Sequence, residues 1–236
     1  MRGRVPINLN FKAKVDGFWQ ELWLTFRLAA VTTAILVLLG VPLASWLNRR
    51  SGTLAVLLEA VVSLPIVLPP TVLGFYLLIF LAPSHVPGSL WRAWFGHPLA
   101  FSFEGLVLGS ILYSLPFAVQ PFQAALRGVP RGVLEAASLD ARRWQVFLFV
   151  RVPLAARGLI VGATLAFAHT VGEFGVVLMV GGNIPGQTRV ASIALYDAVQ
   201  NIDYGTAHRF ALVLLGLSSV LLTMTAWVQR SGRLID

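Results

Sequence analysis

Residues 135–153 read EAASLDARRWQVFLFVRVP, and long apolar stretches lie on both sides of this segment. Its arginines, at positions 142, 143 and 151, stand among apolar side chains, which makes the segment amphipathic and basic. Basic segments between apolar stretches are typical of the cytoplasmic loops of membrane proteins, where arginine is enriched. We therefore predict a membrane protein in which this segment lies on the inner side.

The composition agrees with a membrane protein. Of the 236 residues, 57% are hydrophobic and 12% are charged, and the mean hydropathy is +0.77. A soluble domain carries about 25% charged residues, so this chain has few solvating groups. Its net charge of +8 lies mostly between apolar spans, where it orients the chain, and we expect no nucleic-acid partner. The chain has no cysteine and four scattered histidines, so we expect no metal site.

Five apolar stretches are long enough to cross a bilayer, which takes about 20 residues in a helix. They cover residues 19–46, 54–82, 103–126, 155–181 and 207–229. The preceding tail, residues 1–18, is too polar for a signal peptide. We predict an all-α, polytopic membrane helix bundle of about five transmembrane helices, folded as one domain over residues 1–236.

The positive charges give this bundle an orientation. With the 135–153 segment inside, the inner side collects Arg49, Arg50, Arg127, Arg131, Arg142, Arg143, Arg151, Arg157, Arg230 and Arg233. The outer side collects Arg2, Arg4, Lys12, Lys14, Arg92, Arg189 and Arg209. Arginine and lysine are more numerous on the inner side, as expected for a membrane protein, although the four positive charges of the tail lie on the outer side. An odd number of spans then places the tail outside.

Two outer segments remain under this topology. Residues 83–102 are rich in Pro, Gly, His and Trp and predict an irregular loop. Residues 182–206 mix apolar positions with polar ones and predict a short helix on the outer face, with a solvated connector as the alternative. The polar residues of this segment that we select as contacts for a partner protein on the outer side are Asn183, Arg189, Asn201 and Asp203.

Two features inside the spans are candidates for function. Pro65, Pro69 and Pro70 interrupt the second span, because proline removes an amide donor and breaks the helical ladder. This predicts either a kinked helix beside a pathway or a plain structural kink. Glu173, flanked by Gly172 and Gly175, is an ionisable group in the fourth span and therefore a functional candidate. We expect it to be buried and to serve packing or gating; His169 is a possible partner or, more simply, a packing residue.

Sequence motifs of an enzyme are missing. A phosphate-binding loop needs the pattern G-x-x-x-x-G-K-[ST], and the only lysines are Lys12 and Lys14, in the N-terminal tail. We see no serine–histidine–aspartate set and no carboxylate pair. The chain is therefore expected not to hydrolyse ATP and not to be an enzyme.

Four motifs in order resemble a known family. They are Leu64-Pro-x-x-Leu-Pro-Pro70-x-Val-x-Gly74, the 135–153 segment, Val171-Gly-Glu-Phe-Gly175, and Gly182-Asn-Ile-Pro-Gly186 followed by Thr188 and Tyr196. The 135–153 segment resembles the EAA loop of type I ABC importer permeases. The two glycine-containing motifs narrow the resemblance to the molybdate, tungstate and sulfate group, and most closely to the molybdate permease subunit. The resemblance covers nearly all of the chain from about residue 17 onward.

The resemblance implies a MetI-like fold with cytoplasmic coupling helices in residues 128–152. It implies that Glu135, Ala136, Ala137, Asp140, Arg142, Arg143 and Trp144 dock on an ATPase. It also implies a homodimer in a bacterial or archaeal plasma membrane, two ATP-binding subunits that hold ATP and magnesium, and an extracytoplasmic molybdate-binding protein. No cofactor is expected on this chain. Alternating access would import molybdate, or tungstate; a sulfate or thiosulfate permease and a gradient-driven secondary anion transporter are the alternatives.

One departure from the family concerns the coupling loop. In the family, Glu-Ala-Ala is followed by three residues and then by a glycine, and this chain has Ala141 in place of that glycine. Pro153 also lies one residue closer to Glu135 than in the family. Glycine there would permit a turn with positive φ. Without it, the two short helices are expected to be joined differently or to form one bent helix.

Overall fold

The computed structural model describes residues 7–230, with side chains described from residue 17 onward. In this range the chain is helical, with no strand. The helices are α1 Ile7–Leu47, α2 Thr53–Val67, α3 Pro70–Leu81, α4 Val86–Phe95, α5 Phe103–Arg127, α6 Arg131–Ala137, α7 Arg143–Val146, α8 Val152–Gly172, α9 Gly175–Gly181, α10 Ala191–Gln200 and α11 Tyr204–Arg230. A π-helical turn, Phe147–Arg151, joins α7 to α8.

The prediction of about five spans is confirmed. Within the described residues, four helical stretches are long and apolar enough to cross a membrane: Gly17–Leu47, Phe103–Arg127, Arg143–Gly172 and Tyr204–Arg230. Helices α2 and α3 make a fifth if the pair counts as one span. The first helix begins at Ile7, inside the segment that the sequence sets apart as a tail. Arg2, Arg4 and Arg233 lie outside the described residues.

Prolines explain the break between α2 and α3. Leu68 is extended, with φ −69° and ψ 133°, which is the conformation favoured before a proline. Pro70 then begins α3, where its missing amide has no cost because the first turn lacks partners anyway. The predicted span 54–82 is thus two helices rather than one kinked helix.

The fourth predicted span is also broken. The interval 155–181 contains the end of α8 at Gly172 and the start of α9 at Gly175. Between them, Phe174 has φ −129° and ψ −56°, outside the helical region. Glu173 therefore lies at a helix break and not in a continuous helix.

The prediction of an irregular loop over residues 83–102 was wrong. Residues 83–102 contain α4, which is stabilised at both ends by residues that the composition had suggested as loop formers. Pro87 occupies the first turn, and Gly96 ends the helix in the left-handed conformation, with φ 76°. The stacked rings of Trp91 and Phe95, 4.1 Å apart, lie on the same helix. The predicted short helix in residues 182–206 is present as α10.

The contacts divide the chain into two compact units. The first comprises Met1–Ala30, Pro70–Ser110 and Val171–Leu215, and the second Val31–Pro69, Ile111–Thr170 and Gly216–Asp236. In the first unit, Leu22, Ala191, Ala194 and Phe210 form a buried cluster. The second unit is centred on fully buried Phe122, and its cluster also contains Leu36, Val41, Ala44, Leu47, Val62, Ala118, Val119, Leu126, Val129, Ala155 and Ala166.

Candidate functional site

The predicted coupling segment, 128–152, folds as two short helices joined by a turn. After α6, the amide of Ser138 donates to the carbonyl of Leu134 at 3.1 Å, and that of Leu139 donates to Ala136 at 3.3 Å. No described residue of the turn has a positive φ. The turn therefore needs no glycine, which accounts for Ala141 at the position where the resemblance expects one. The alternative of one continuous bent helix is excluded.

Several contacts hold this segment against the rest of the second unit. Leu134 and Phe147 pack on the cluster around Phe122, and Val146 is buried. The guanidinium of Arg151 donates to the carbonyl of Leu126 at 3.0 and 3.3 Å. The backbone amide of Arg142 donates to the side chain of Gln145 at 2.9 Å, which caps α7. The segment is anchored along one side only.

The other side of the segment is open. None of the residues of α6 is buried. The predicted docking residues are exposed except for Ala137, which is half-buried; the exposed ones are Glu135, Ala136, Asp140, Arg142, Arg143 and Trp144. Leu139, which the sequence analysis did not select, is 83% exposed at the tip of the turn. In the sequence, only the position of Leu139 between the two short helices indicates that it is a docking residue. The arrangement presents a small surface of mixed charge with exposed apolar side chains on a fixed support.

Glu173 is buried at the break between α8 and α9, with 2% exposure. Ser110 lies beside its carboxylate. Neither oxygen of Glu173 nor the Ser110 hydroxyl meets hydrogen-bond geometry with any described residue. The backbone carbonyl of Glu173 accepts a hydrogen bond of 2.6 Å from Ser192 of α10. The backbone at the break is thus fixed by a hydrogen bond, whereas the carboxylate of Glu173 accepts no hydrogen bond of normal geometry from a described donor.

His169 does not serve as the partner of Glu173. Its ring hydrogen-bonds Ser114 at 2.9 Å and stacks on Phe117 at 3.8 Å between centroids. These contacts match the simpler interpretation of His169 as a packing residue.

The two glycines beside Glu173 differ in their surroundings. A Cβ at Gly175 would lie 2.8 Å from Cβ of Pro70, whereas a Cβ at Gly172 would meet nothing within 4 Å. Only Gly175 is therefore in close contact with another helix. Of the three predicted pathway prolines, Pro70 packs against the Glu173 break, Pro65 is buried inside α2, and Pro69 is exposed.

We expect Gly175→Ala to lower the free energy of unfolding by about 1–3 kcal/mol, because the added methyl group overpacks the contact with Pro70. Gly172→Ala is the matched control and should be neutral or slightly stabilising, since its methyl group has free space and alanine favours helix. Thermal unfolding of the purified variants in detergent measures both. Equal loss of stability in the two variants would contradict the packing described here.

The predicted outer contact residues fall into two groups in the first unit. Arg189 lies 3.6 Å from the carboxylate of Glu21 and 3.7 Å from that of Asp197, and Asn183 donates to Asp197 at 3.1 Å. Arg189 is therefore neutralised by neighbouring carboxylates, which weighs against a role in steering anions. Thr188 is fully buried and donates to the carbonyl of Gly181 at 2.6 Å.

The second group lies where α10 ends and α11 begins. Asp203 accepts hydrogen bonds from the amide and the hydroxyl of Thr206, at 3.2 and 2.9 Å, and so caps α11. Asn201 donates to the carbonyl of Asp197 at 2.8 Å and keeps its side chain exposed. Between them, Ile202 is 74% exposed and has φ 59°, which is unusual for a β-branched residue. Asp203 is structural, whereas Asn201 and Ile202 form an open surface.

Comparisons with known proteins bear on these sites. Residues 36–233 match the family described as "Binding-protein-dependent transport system inner membrane component". The chain is similar to the molybdenum transport system permease protein ModB of Azotobacter vinelandii, with 50% identity over 189 residues that cover 80% of this chain and 84% of the relative. It is 35% identical to ModB of Escherichia coli strain K12 over 220 residues, covering 92% and 96% of the two chains.

The fold has a counterpart among solved structures. A chain of the MetNI methionine ABC transporter in an inward-facing conformation superposes with a TM-score of 0.66 at 19% identity, covering 92% of this chain and 94% of that one. At this identity the likeness concerns the fold alone. It confirms the expected MetI-like arrangement of helices.

Proposed function

Since the chain belongs to the family of binding-protein-dependent transport system inner membrane components, we propose that it is the permease subunit of an ATP-driven molybdate importer. The observation that carries the choice of cargo is the 50% identity to a molybdenum transport permease over most of both chains. Tungstate, a tetrahedral dianion of nearly the same size, is expected to follow the same route. The chain is a multi-pass membrane protein, and we place it in a bacterial inner membrane.

The proposed assembly contains two copies of this chain, two ATP-binding subunits and an extracytoplasmic binding protein that delivers the anion. ATP and magnesium belong to the partner ATPase, and we assign no cofactor to this chain. ATP binding and the loaded binding protein shift the permease between two packings, one open inward and one open outward. The two helix breaks, at Leu68–Pro69 and at Glu173–Phe174, are positions where such a change can be absorbed.

The coupling segment supports this mechanism. Motion of an ATPase is transmitted to the spans only if the docking surface is rigidly joined to them. Here α7 continues through the π-helical turn into α8, and Arg151 ties the turn to α5. A push on Arg142, Arg143 or Trp144 therefore reaches a transmembrane helix through continuous backbone.

The burial of Glu173 suits an anion pathway. A carboxylate exposed in the path would repel a dianion, and Glu173 is 2% exposed. A dianion binds more favourably to hydroxyl and amide donors than to a carboxylate. We assign Glu173 to packing or gating at the α8–α9 break and not to contact with cargo.

The outer surface at Asn201 is our proposed contact for the binding protein. We expect Asn201→Trp to lower the stimulation of ATP hydrolysis by the loaded binding protein and to leave basal hydrolysis intact, because the side chain is exposed and far in sequence from the coupling segment. Asp203 is unsuitable for this test because it caps α11. Steady-state ATPase assays with and without loaded binding protein measure the effect; unchanged stimulation would place the contact elsewhere.

Co-purification tests the assignment as an ABC permease. The chain, expressed with its cognate ATPase subunit and tagged, should retain that subunit through detergent extraction and size-exclusion chromatography, in a ratio of one to one. A gradient-driven secondary transporter would need no such subunit. Purification of the chain without any ATPase, combined with transport by the chain alone, would overturn the proposal.

A further inference from the structure

A pair of polar side chains lies inside the membrane-spanning part of the second unit. The side-chain amide of Gln120 on α5 donates to the hydroxyl of Ser63 on α2 at 3.0 Å. Gln120 is exposed and Ser63 is half-buried. Neither residue belongs to the coupling segment, to the helix breaks or to the outer surface described above.

The pair lies well inside the hydrocarbon depth. Helix α5 has 25 residues, which at about 1.5 Å per residue exceeds the roughly 30 Å hydrocarbon core by a few ångströms at each end. Gln120 precedes the last residue of α5, Arg127, by two turns of helix, or about 10 Å. An exposed amide at this depth is costly against lipid, so such groups face water or protein.

A polar network continues from this pair to the inner end of the helices. Glu59, one turn before Ser63 on α2, accepts hydrogen bonds from Gln123 at 2.9 Å and from Arg127 at 3.1 Å. Asn48 accepts from Arg127 at 2.7 Å. The side chains of Arg127 and Glu59 are 60% and 41% exposed. We call the whole set, Asn48, Glu59, Ser63, Gln120, Gln123 and Arg127, the α2–α5 polar seam.

The hydrogen bonding of the pair leaves donors available. The amide of Gln120 has two N–H groups, of which one binds Ser63, and the hydroxyl hydrogen of Ser63 is not used in that bond. Nearer the inner end of the helices, the single carboxylate of the seam, Glu59, is neutralised by Arg127. The seam therefore offers N–H and O–H donors and no free negative charge, which is the chemistry that receives an oxyanion.

We propose that the α2–α5 polar seam lines the cytoplasmic half of the translocation pathway, with Gln120 and Ser63 donating hydrogen bonds to the passing oxyanion. This inference rests on the proposed function for the identity of the cargo. The water-facing character of the seam is inferred from the exposure and depth of Gln120 together with the exposed ion pair of Arg127 and Glu59 that continues it to the inner end, so it can be tested without transport.

The absence of native cysteine makes the test direct. Single substitutions Ser63→Cys and Gln120→Cys are made in the assembled complex with its ATPase, in inside-out membrane vesicles, and treated with a membrane-impermeant methanethiosulfonate reagent. Val61→Cys is the matched control, because Val61 is 61% exposed and lies two residues from Ser63 on an apolar part of α2. Reaction requires a hydrated thiolate, so the two seam positions should react at least about tenfold faster than the control. Equal rates at all three positions would overturn the proposal.

A second variant links the seam to the cargo. Gln120→Glu places a negative charge beside the passing dianion and should lower ATP-driven molybdate uptake at least about tenfold, whereas Gln120→Asn should keep most of it. Retention of the ATPase subunit through size-exclusion chromatography checks assembly in both. Fast labelling with no uptake by the unmodified complex would refute the proposed function and leave the seam standing. Uptake with slow labelling, or full uptake by Gln120→Glu, would refute the seam.

Discussion

Reversing two charges of the coupling segment should abolish ATP-driven uptake. In Arg142→Glu with Arg143→Glu, two exposed guanidinium groups beside Trp144 become carboxylates on the surface that we assign to the ATPase. Loss of one charged partner at a buried interface costs about 2–5 kcal/mol, so affinity for the ATPase should fall at least about 30-fold. Co-purification of the ATPase and uptake into proteoliposomes measure the two consequences.

The control for this substitution is Arg230→Glu, which reverses an exposed charge at the end of α11 outside the coupling segment. It should keep both the ATPase and uptake. Normal assembly and uptake by the Arg142, Arg143 double variant would show that the ATPase docks elsewhere. Failure of Arg230→Glu as well would point to net charge or topology as the cause.

The second large effect concerns Glu173. We expect Glu173→Ala to lower the free energy of unfolding by about 2–4 kcal/mol and to abolish uptake, because it leaves a cavity at a site with 2% exposure. Glu173→Gln keeps nearly the same volume and should retain fold and most uptake. Since no described donor binds the carboxylate in hydrogen-bond geometry, glutamine gives up no such bond.

Thermal unfolding and uptake, measured together, separate packing from charge at this position. Equal loss of uptake in both variants, with Glu173→Gln still stable, would show that the ionised carboxylate itself is needed, contrary to a packing or gating role. A stable Glu173→Ala variant with full uptake would remove Glu173 from the mechanism altogether.

Composition and apolar length were sufficient to predict the class and the approximate number of spans. The hydrocarbon core imposes about 20 apolar residues on each crossing helix, so the positions of the first, third and fifth spans follow from hydropathy, whereas the fourth predicted span, 155–181, is broken at Glu173. The break at Leu68–Pro69 could also be read locally, because proline acts on the residue before it. The coupling segment was recognisable because its arginines stand between apolar spans.

The parts that sequence reasoning missed depend on contacts between distant residues. The break at Glu173–Phe174 has no proline; its nearest structural correlate is the close contact between Gly175 and Pro70, more than 100 positions apart. The ion pair between Arg189 and Glu21 of α1 joins residues that are distant in the sequence, so it could not be predicted. Helix α4 is a local exception, because Pro87 and Gly96 mark the ends of a helix there and do not form a loop. The pairing of Ser63 with Gln120 requires the packing of α2 on α5.

Uptake by the reconstituted complex tests the central claim most directly. Proteoliposomes hold the permease and its ATPase, with ATP in the lumen, and receive the binding protein loaded with radiolabelled molybdate on the outside. The account predicts accumulation that requires both lumenal ATP and the binding protein and that persists in excess sulfate. Accumulation driven by an ion gradient without ATP, or no molybdate uptake where sulfate is taken up, would contradict it.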